Sequence, residues 1–217
     1  MKYKEIEKIN YIRQLAEKIK FPKILELGVQ KGNSTKMFLE LCDKNDGHLI
    51  SVDIDDCSHV ANNKRWKFIH SSDDNFKLIN NKINEKLDLI FIDSYHEPNH
   101  IKKIFYNYYK YLKTDGICII DDISWLPYSE FNICDNDFIE RINRLTFEKI
   151  LNIYNSNTEN FILDFRFVGT GLAIIKKIKD ELCPEKKLKN RLYTIKNILK
   201  TEVYIKGVIY HYIPSKK

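Results

Sequence analysis

The chain has 217 residues, 43% of them hydrophobic, which is enough to bury one substantial core and more than a minimal α/β domain requires. Its formal net charge of +6 comes from lysines spread along the sequence, and its longest apolar runs, such as Ile117 to Ile120, are strand-sized, so no membrane span is expected. Five cysteines, Cys42, Cys57, Cys118, Cys134 and Cys183, are odd in number and contain no C-x-x-C pair, which argues against a disulfide framework. Together with an N-terminus, Met-Lys-Tyr-Lys-Glu, that lacks an apolar signal region, they predict reduced thiols and a cytoplasmic protein.

In chain order, Ile6, Ile9, Ile12, Leu15, Ala16 and Ile19 recur at three- and four-residue spacings and predict a leading helix over 4–19, ended by Phe21-Pro22. Lys23 to Leu27 reads as a buried strand, Gly28 to Gly32 as a loop, and Ser34 to Leu41 as a helix opened by Asn33 or Ser34. Leu49 to Ile54 and Trp66 to His70 are further strands, the second followed by the polar run Ser71 to Asp74. Leu87 to Asp93 is the clearest buried strand; Ile101 to Leu112 is an aromatic-rich helix, and Gly116 to Asp122 another strand ending in acid. Such alternation predicts an α/β fold, doubly wound around a mostly parallel sheet.

Beyond Trp125 the pattern changes. A helix is expected over 138–152, then strands over 160–167 and 171–177. The short link Val168-Gly169-Thr170 makes these two strands antiparallel neighbours. Residues 1–182 are therefore expected to form one domain. Residues 183–217 are expected as a basic C-terminal extension packed on it, ending in the Tyr-rich stretch Val203 to Ile213. The local basic run Lys176 to Lys200, with Lys186, Lys187, Lys189 and Arg191, reads first as a solvated helix face. No internal repeat or linker interrupts the chain.

Three constellations carry chemistry. In Ile24 to Thr35 a buried strand runs through Gly28 and Gly32 into a helix N-terminus, a place where backbone N–H groups face a ligand crevice. The loop is G-x-x-x-G preceded by Glu26, unlike the G-x-G-x-x-G that admits a pyrophosphate, and an acid there suits an ammonium better than a phosphate. The second element is Asp53, about twenty residues further on at the next strand end, where an acid accepts hydrogen bonds from ribose hydroxyls. The third joins Asp93-Ser-Tyr-His96-Glu-Pro-Asn-His100 to Asp121-Asp122. Central strand ends converge, so the three carboxylates Asp93, Asp121 and Asp122 can face one point, and three carboxylates together need a cation.

On these residues the sequence resembles class I S-adenosylmethionine-dependent methyltransferases over roughly Ile24 to Lys177. Glu26-Leu-Gly28-Val-Gln-Lys-Gly32-Asn-Ser34 resembles their first motif and Ser51-Val-Asp53-Ile their second. The resemblance implies a Rossmann-like, seven-stranded sheet closed by the antiparallel edge pair. It also implies that the loop wraps the methionine part of the cofactor, that Asp53 holds the ribose, and that Ser72 and Asp73 lie near the adenine.

Within the class the chain resembles the catechol-type enzymes, whose metal ligands fall at Asp93, Asp121 and Asp122, with Asp122 standing where that type usually has Asn. It also resembles bacterial sugar-type O-methyltransferases, whose I-D-x-x-H pattern matches Ile92-Asp93-Ser-Tyr-His96. The expected cofactors are S-adenosylmethionine and a divalent cation, Mg²⁺ first, that lowers the acceptor hydroxyl's pKa.

His96 is the expected general base, since neutral imidazole accepts a proton at neutral pH, with Asp93 beside it. Pro98 places the next helix start after His96, so His100 is read first as a packing residue. Trp125, Tyr128 and Phe131 could line an acceptor pocket. The expected acceptor is a small hydroxylated molecule, a sugar or glycan precursor first and a phenol second; nucleic acid comes third, and a homo-oligomer stays open. Competing readings are a nicotinamide-dependent oxidoreductase on the same architecture and a non-catalytic cofactor-binding protein.

Overall fold

A computed structural model describes residues 3–124 and 137–186. The chain divides into a compact unit, Met1–Lys186, and a second unit, Lys187–Lys217, which lies outside the described residues together with Trp125, Tyr128, Phe131 and the Val203 to Ile213 stretch.

Seven strands form one sheet. They are β1 (Lys23–Leu27), β2 (His48–Asp53), β3 (Trp66–His70), β4 (Leu87–Ile92), β5 (Leu112–Asp121), β6 (Phe161–Arg166) and β7 (Leu172–Lys177), in the order β3-β2-β1-β4-β5-β7-β6. The first five are parallel, and β7 runs antiparallel to both β5 and β6, so the expected closing pair is present. β1 and β4 read as continuous apolar runs because both faces of the sheet are covered; Leu25, Leu27, Ile90 and Ile92 face one layer and Ile24, Leu89 and Phe91 the other.

One layer contains α1 (Tyr3–Ala16) and α2 (Asn33–Lys44), whose Ile12, Ala16, Met37, Phe38 and Leu41 pack on Ile24, Leu49 and Phe91. The other contains the short α3 (Phe76–Asn80), α4 (Pro98–Tyr109) and α5 (Asp137–Asn155), which contribute Ile79, Ile101, Ile104, Phe105, Tyr108, Ile150 and Ile153. Among the described residues no helix is long and apolar enough to cross a membrane.

Several boundaries differ from expectation for local reasons. α1 ends a turn early, at Ala16, in a tighter turn in which the Ile19 N–H donates to the Ala16 carbonyl, and Phe21 then takes a left-handed φ of 51°. α4 starts at Pro98, in the first-turn position that tolerates a missing N–H, and Glu97 accepts the His100 N–H at 2.7 Å. α2 opens at Asn33 with Gly32 as its cap, so neither Asn33 nor Ser34 caps it.

From β1 the chain runs outward through β2 to β3, then crosses back to β4 on the other side of β1 and continues outward through β5. The carboxyl ends of β1 and β4 therefore flank the point where strand order reverses, and a crevice opens there.

Candidate active site

That crevice is a cleft of about 800 Å³, within the range that holds a cofactor and a small partner. Its floor is made by the ends of β1, β2, β4 and β5, which bring Gly28, Asp53, Asp93, Asp121 and Asp122 to one opening; Ser34, Ser72, Asp73, His96 and His100 also line it.

The glycine loop is shaped by the protein's own packing. Gly28 has φ +99°, and a Cβ there would sit 2.0 Å from the Asp93 carbonyl oxygen; Gly32 has φ +72°, and its Cβ would sit 2.0 Å from Val60 Cγ1. Only a residue without a Cβ lets the loop lie this close to the end of β4 and to the turn at Ser58–Val60. At both positions the missing Cβ serves close approach of chain to chain, and Gly28 also lines the cleft.

Asp53 holds the loop from the other side. Its Oδ2 accepts the N–H groups of Val29 (2.7 Å) and Gln30 (3.0 Å), and its Oδ1 that of Asp55 (2.9 Å). Partial burial raises its pKa, but these backbone donors outweigh it and hold the carboxyl below the ordinary range, so it stays ionised at the mouth of the cleft.

Glu26 lies beneath the loop, fully buried and outside the cleft lining. Its Oε2 accepts the hydroxyls of Thr35 (2.8 Å) and Ser51 (2.6 Å), and Ser51 Oγ in turn accepts the Trp66 indole N–H at 2.9 Å. The network ties β1, β2, β3 and α2 together. Oε1 is buried with no hydrogen-bond partner. Burial pushes the carboxyl up to about 7, against the opposing hydroxyls of Ser34, Ser51 and Thr35. Glu26 therefore supports the loop from below, where the sequence expected it at the cofactor.

At the adenine side anticipated for Ser72 and Asp73, the Ser72 hydroxyl donates to Asp74 at 2.6 Å, and Asp73 is nearly buried. Asp73 Oδ1 pairs with His100 Nε2 at 2.9 Å, its Oδ2 accepts the Ser94 hydroxyl, and its carbonyl accepts the Tyr108 hydroxyl at 2.6 Å. The Asp73 hydrogen bond raises the His100 pKa, against partial burial. His100 thus has a specific acidic partner that sequence reasoning missed, since the two are separated by a strand and a helix.

The acidic end gathers Asp93, His96, Asp121 and Asp122. Burial and the charges of Asp121 and Asp122 raise the Asp93 pKa well above the carboxylate range. His96 Nε2 lies 3.6 Å from Asp93 Oδ1 and 3.5 Å from Asp122 Oδ2, while its Nδ1 is buried without a partner. The Thr146 hydroxyl on α5 donates to the His96 carbonyl at 3.0 Å and pins this turn. Asp122 has φ 57°, a left-handed conformation uncommon outside glycine that ends β5 and turns the side chain into the cleft.

Lys8, on α1, enters the same end. Its Nζ lies 2.5 Å from Asp121 Oδ2 and 2.8 Å from Thr170 Oγ1, with Asp122 Oδ1 at 3.8 Å. Asp121 Oδ1 accepts the Asp122 N–H at 2.7 Å and the Thr170 hydroxyl at 3.3 Å. Both oxygens of Asp121 are therefore engaged. Among the described residues no group of three or more His, Cys, Asp and Glu side chains is disposed to hold a metal ion. The donor set expected for Mg²⁺ is brought together, but Asp121 is spent on Lys8, Thr170 and the backbone, so it does not fit an octahedral ion needing free oxygens at about 2 Å.

Comparison with known proteins agrees with this architecture. Residues 25–123 match the family model described as a methyltransferase domain. No curated protein matches the sequence. Among solved structures, a Staphylococcus aureus protein assigned as a caffeoyl-CoA O-methyltransferase is 21% identical with a TM-score of 0.61, over 78% of this chain and 82% of that one. The MycE methyltransferase of the mycinamycin biosynthetic pathway, in complex with Mg and SAH, is 19% identical with a TM-score of 0.57; the match covers 79% of this chain but only 49% of MycE. A Clostridium thermocellum protein assigned as an rRNA methylase is 17% identical with a TM-score of 0.59, over 83% and 99%. These likenesses are of fold. The chain thus has the Rossmann-like methyltransferase fold, and residues 25–123, which span its first five strands, match the methyltransferase-domain model.

Proposed function

We propose that the protein transfers a methyl group from S-adenosylmethionine to a hydroxyl of a small molecule, a sugar or glycan precursor before a phenol. The observation that carries this reading is the continuity of one cleft, from the ionised Asp53 beside the glycine loop to His96, Asp93 and Asp122. A nucleoside fits the first end, its ribose hydroxyls donating to lone pairs of Asp53, and an acceptor hydroxyl fits the second. S-adenosylmethionine supplies an already activated methyl group, so the work of the chain is mostly positioning.

His96 Nε2 takes the hydroxyl proton as the oxygen forms its bond to the methyl carbon; the sulfur–methyl bond breaks and its electron pair stays on sulfur. Asp122, 3.5 Å from Nε2, stabilises the imidazolium so formed. The Glu26 network and the Asp53 bonds fix the loop, and His100 fixes Asp73 at the adenine side. The buried, unpaired Cys42, Cys57 and Cys118 suit a reducing compartment, and we place the reaction in the cytoplasm.

The test is transfer of labelled methyl from S-adenosylmethionine to a panel of sugars, nucleotide sugars, phenols and RNA. Turnover on a hydroxylated sugar that falls by about 10²-fold or more in His96→Gln is the expected result. Undiminished turnover in that variant contradicts the assigned base. Transfer to RNA alone moves the acceptor class, and S-adenosylhomocysteine binding without turnover on any acceptor favours a non-catalytic protein.

A further inference from the structure

Three carboxylates at one end of a cleft repel one another unless a positive charge lies among them. The sequence reading assigned that charge to a divalent ion. The chain supplies one of its own. Lys8 Nζ contacts Asp121 Oδ2 at 2.5 Å and Thr170 Oγ1 at 2.8 Å, with Asp122 Oδ1 at 3.8 Å. Its side chain is only 13% exposed and that of Asp121 only 2%, so this is a shielded ion pair, unlike the surface pairs elsewhere on the molecule. It is also bound from three directions: from α1, from the end of β5, and from Thr170 in the β6–β7 turn.

We propose that the Lys8 ammonium is the resident cation of the acceptor site, standing where a divalent metal would have to bind, and that it positions Asp122 and His96 without metal. The role as acceptor site rests on the methyl-transfer reading; the exclusion of a divalent ion by Lys8 does not. An ammonium donates hydrogen bonds but offers no empty orbital to an acceptor oxygen, so proton removal falls to His96. Lys8 is thus a positioning residue. It holds Asp121, whose Oδ1 receives the Asp122 N–H, and that bond accompanies the left-handed turn that brings the Asp122 carboxylate within 3.5 Å of His96 Nε2.

The direct probe is Mn²⁺ alone, titrated by electron paramagnetic resonance into wild type, Asp121→Asn, Lys8→Met and Lys8→Met/Asp121→Asn. Wild type and Asp121→Asn are expected to bind Mn²⁺ alike. Lys8→Met, which frees both oxygens nearest the ammonium, is expected to bind it about tenfold or more tightly, and the double variant to lose that gain. In the same samples 5 mM Mg²⁺, on the order of the affinity expected of an unoptimised site, raises the unfolding temperature of Lys8→Met and leaves wild type unmoved.

A wild type whose Mn²⁺ affinity falls about tenfold on Asp121→Asn overturns the proposal, and this comparison needs no Lys8 variant to fold. So does a Lys8→Met protein of native circular dichroism that gains no Mn²⁺ affinity. Titration of each sample with S-adenosylhomocysteine separates the two claims. Failure to bind it counts against the methyl-transfer reading alone, because the Mn²⁺ pattern requires neither cofactor nor acceptor.

Discussion

Glu26 and Lys8 show how little a residue's type says about its task. A carboxylate next to a glycine loop suggested a ligand contact, yet Glu26 is sealed under the loop with its pKa raised from 4.5 to about 7. Between those values the native state holds a proton that the unfolded chain releases. This contribution is therefore complete below about pH 4.5 and is lost as pH rises through about 7, on the order of 3 kcal/mol. Glu26→Gln keeps an oxygen for Thr35 and Ser51 and can place its amide on the unpartnered side. It should flatten the fall in stability between pH 5 and pH 8, as read by urea denaturation at both pH values; an unchanged slope contradicts the buried, protonated Glu26. Asp53 was legible because strand-end acids open on the crevice in this topology. Lys8 was not, because a lysine on an amphipathic helix reads as solvated, and its partner Asp121 lies 113 positions away.

At the scale of elements, the strands were legible wherever both faces are buried, since β1, β4 and the apolar end of β5 then spell continuous apolar runs. The short α3 and the turn at Ser58–Val60 were not, because five and three residues are too few to display a helical period. Lys177 belongs to the same class of hidden features. It stands at the end of β7 and looks like a surface charge, but it is fully covered, and its Nζ donates to the carbonyls of Tyr109 (3.0 Å) and Leu112 (2.6 Å) where α4 ends and β5 begins. Lys177→Met removes the donor to those carbonyls and the 2.6 Å ion pair with Asp180 and should cost roughly 2–4 kcal/mol in denaturant unfolding; a loss under about 0.5 kcal/mol would show that water replaces the ammonium. In the β1–α2 loop, Gly28→Ala adds a Cβ 2.0 Å from the Asp93 carbonyl at a φ of +99°. It should lower stability by about 2–4 kcal/mol and weaken S-adenosylhomocysteine binding by about tenfold or more. Wild-type affinity in that variant would mean that the loop shape is not what binds the ligand.

For the whole molecule, the doubly wound sheet places every cleft residue named above between Lys8 and Thr170, inside the compact unit Met1–Lys186. A fragment of residues 1–186 should therefore unfold in one cooperative transition and bind S-adenosylhomocysteine within about twofold of the full chain. Loss of binding on that truncation would assign the basic extension a part in the site. Where the basic run enters this unit its charges are internally engaged: Lys176 pairs with Asp115 at 2.7 Å and Lys179 with Glu159 at 3.1 Å. Those two lysines are thus neutralised locally and are a poorer signal of a polyanionic partner than their charge alone suggests. The α/β alternation and the antiparallel closing pair were legible because alternation and strand length are local properties, whereas the seven-stranded, Rossmann-like form followed from the motif resemblance. How the acidic end is neutralised was not, because it depends on α1, β5 and the β6–β7 turn meeting in space.

The central claim is that the cleft between Asp53 and His96 receives S-adenosylmethionine, and calorimetric titration of the full chain with S-adenosylhomocysteine and, separately, with NAD tests it most directly. One S-adenosylhomocysteine per chain should bind, about tenfold or more weakly in Asp53→Ala, with no heat from NAD. Saturable NAD binding with none for S-adenosylhomocysteine would contradict the account and restore the oxidoreductase reading.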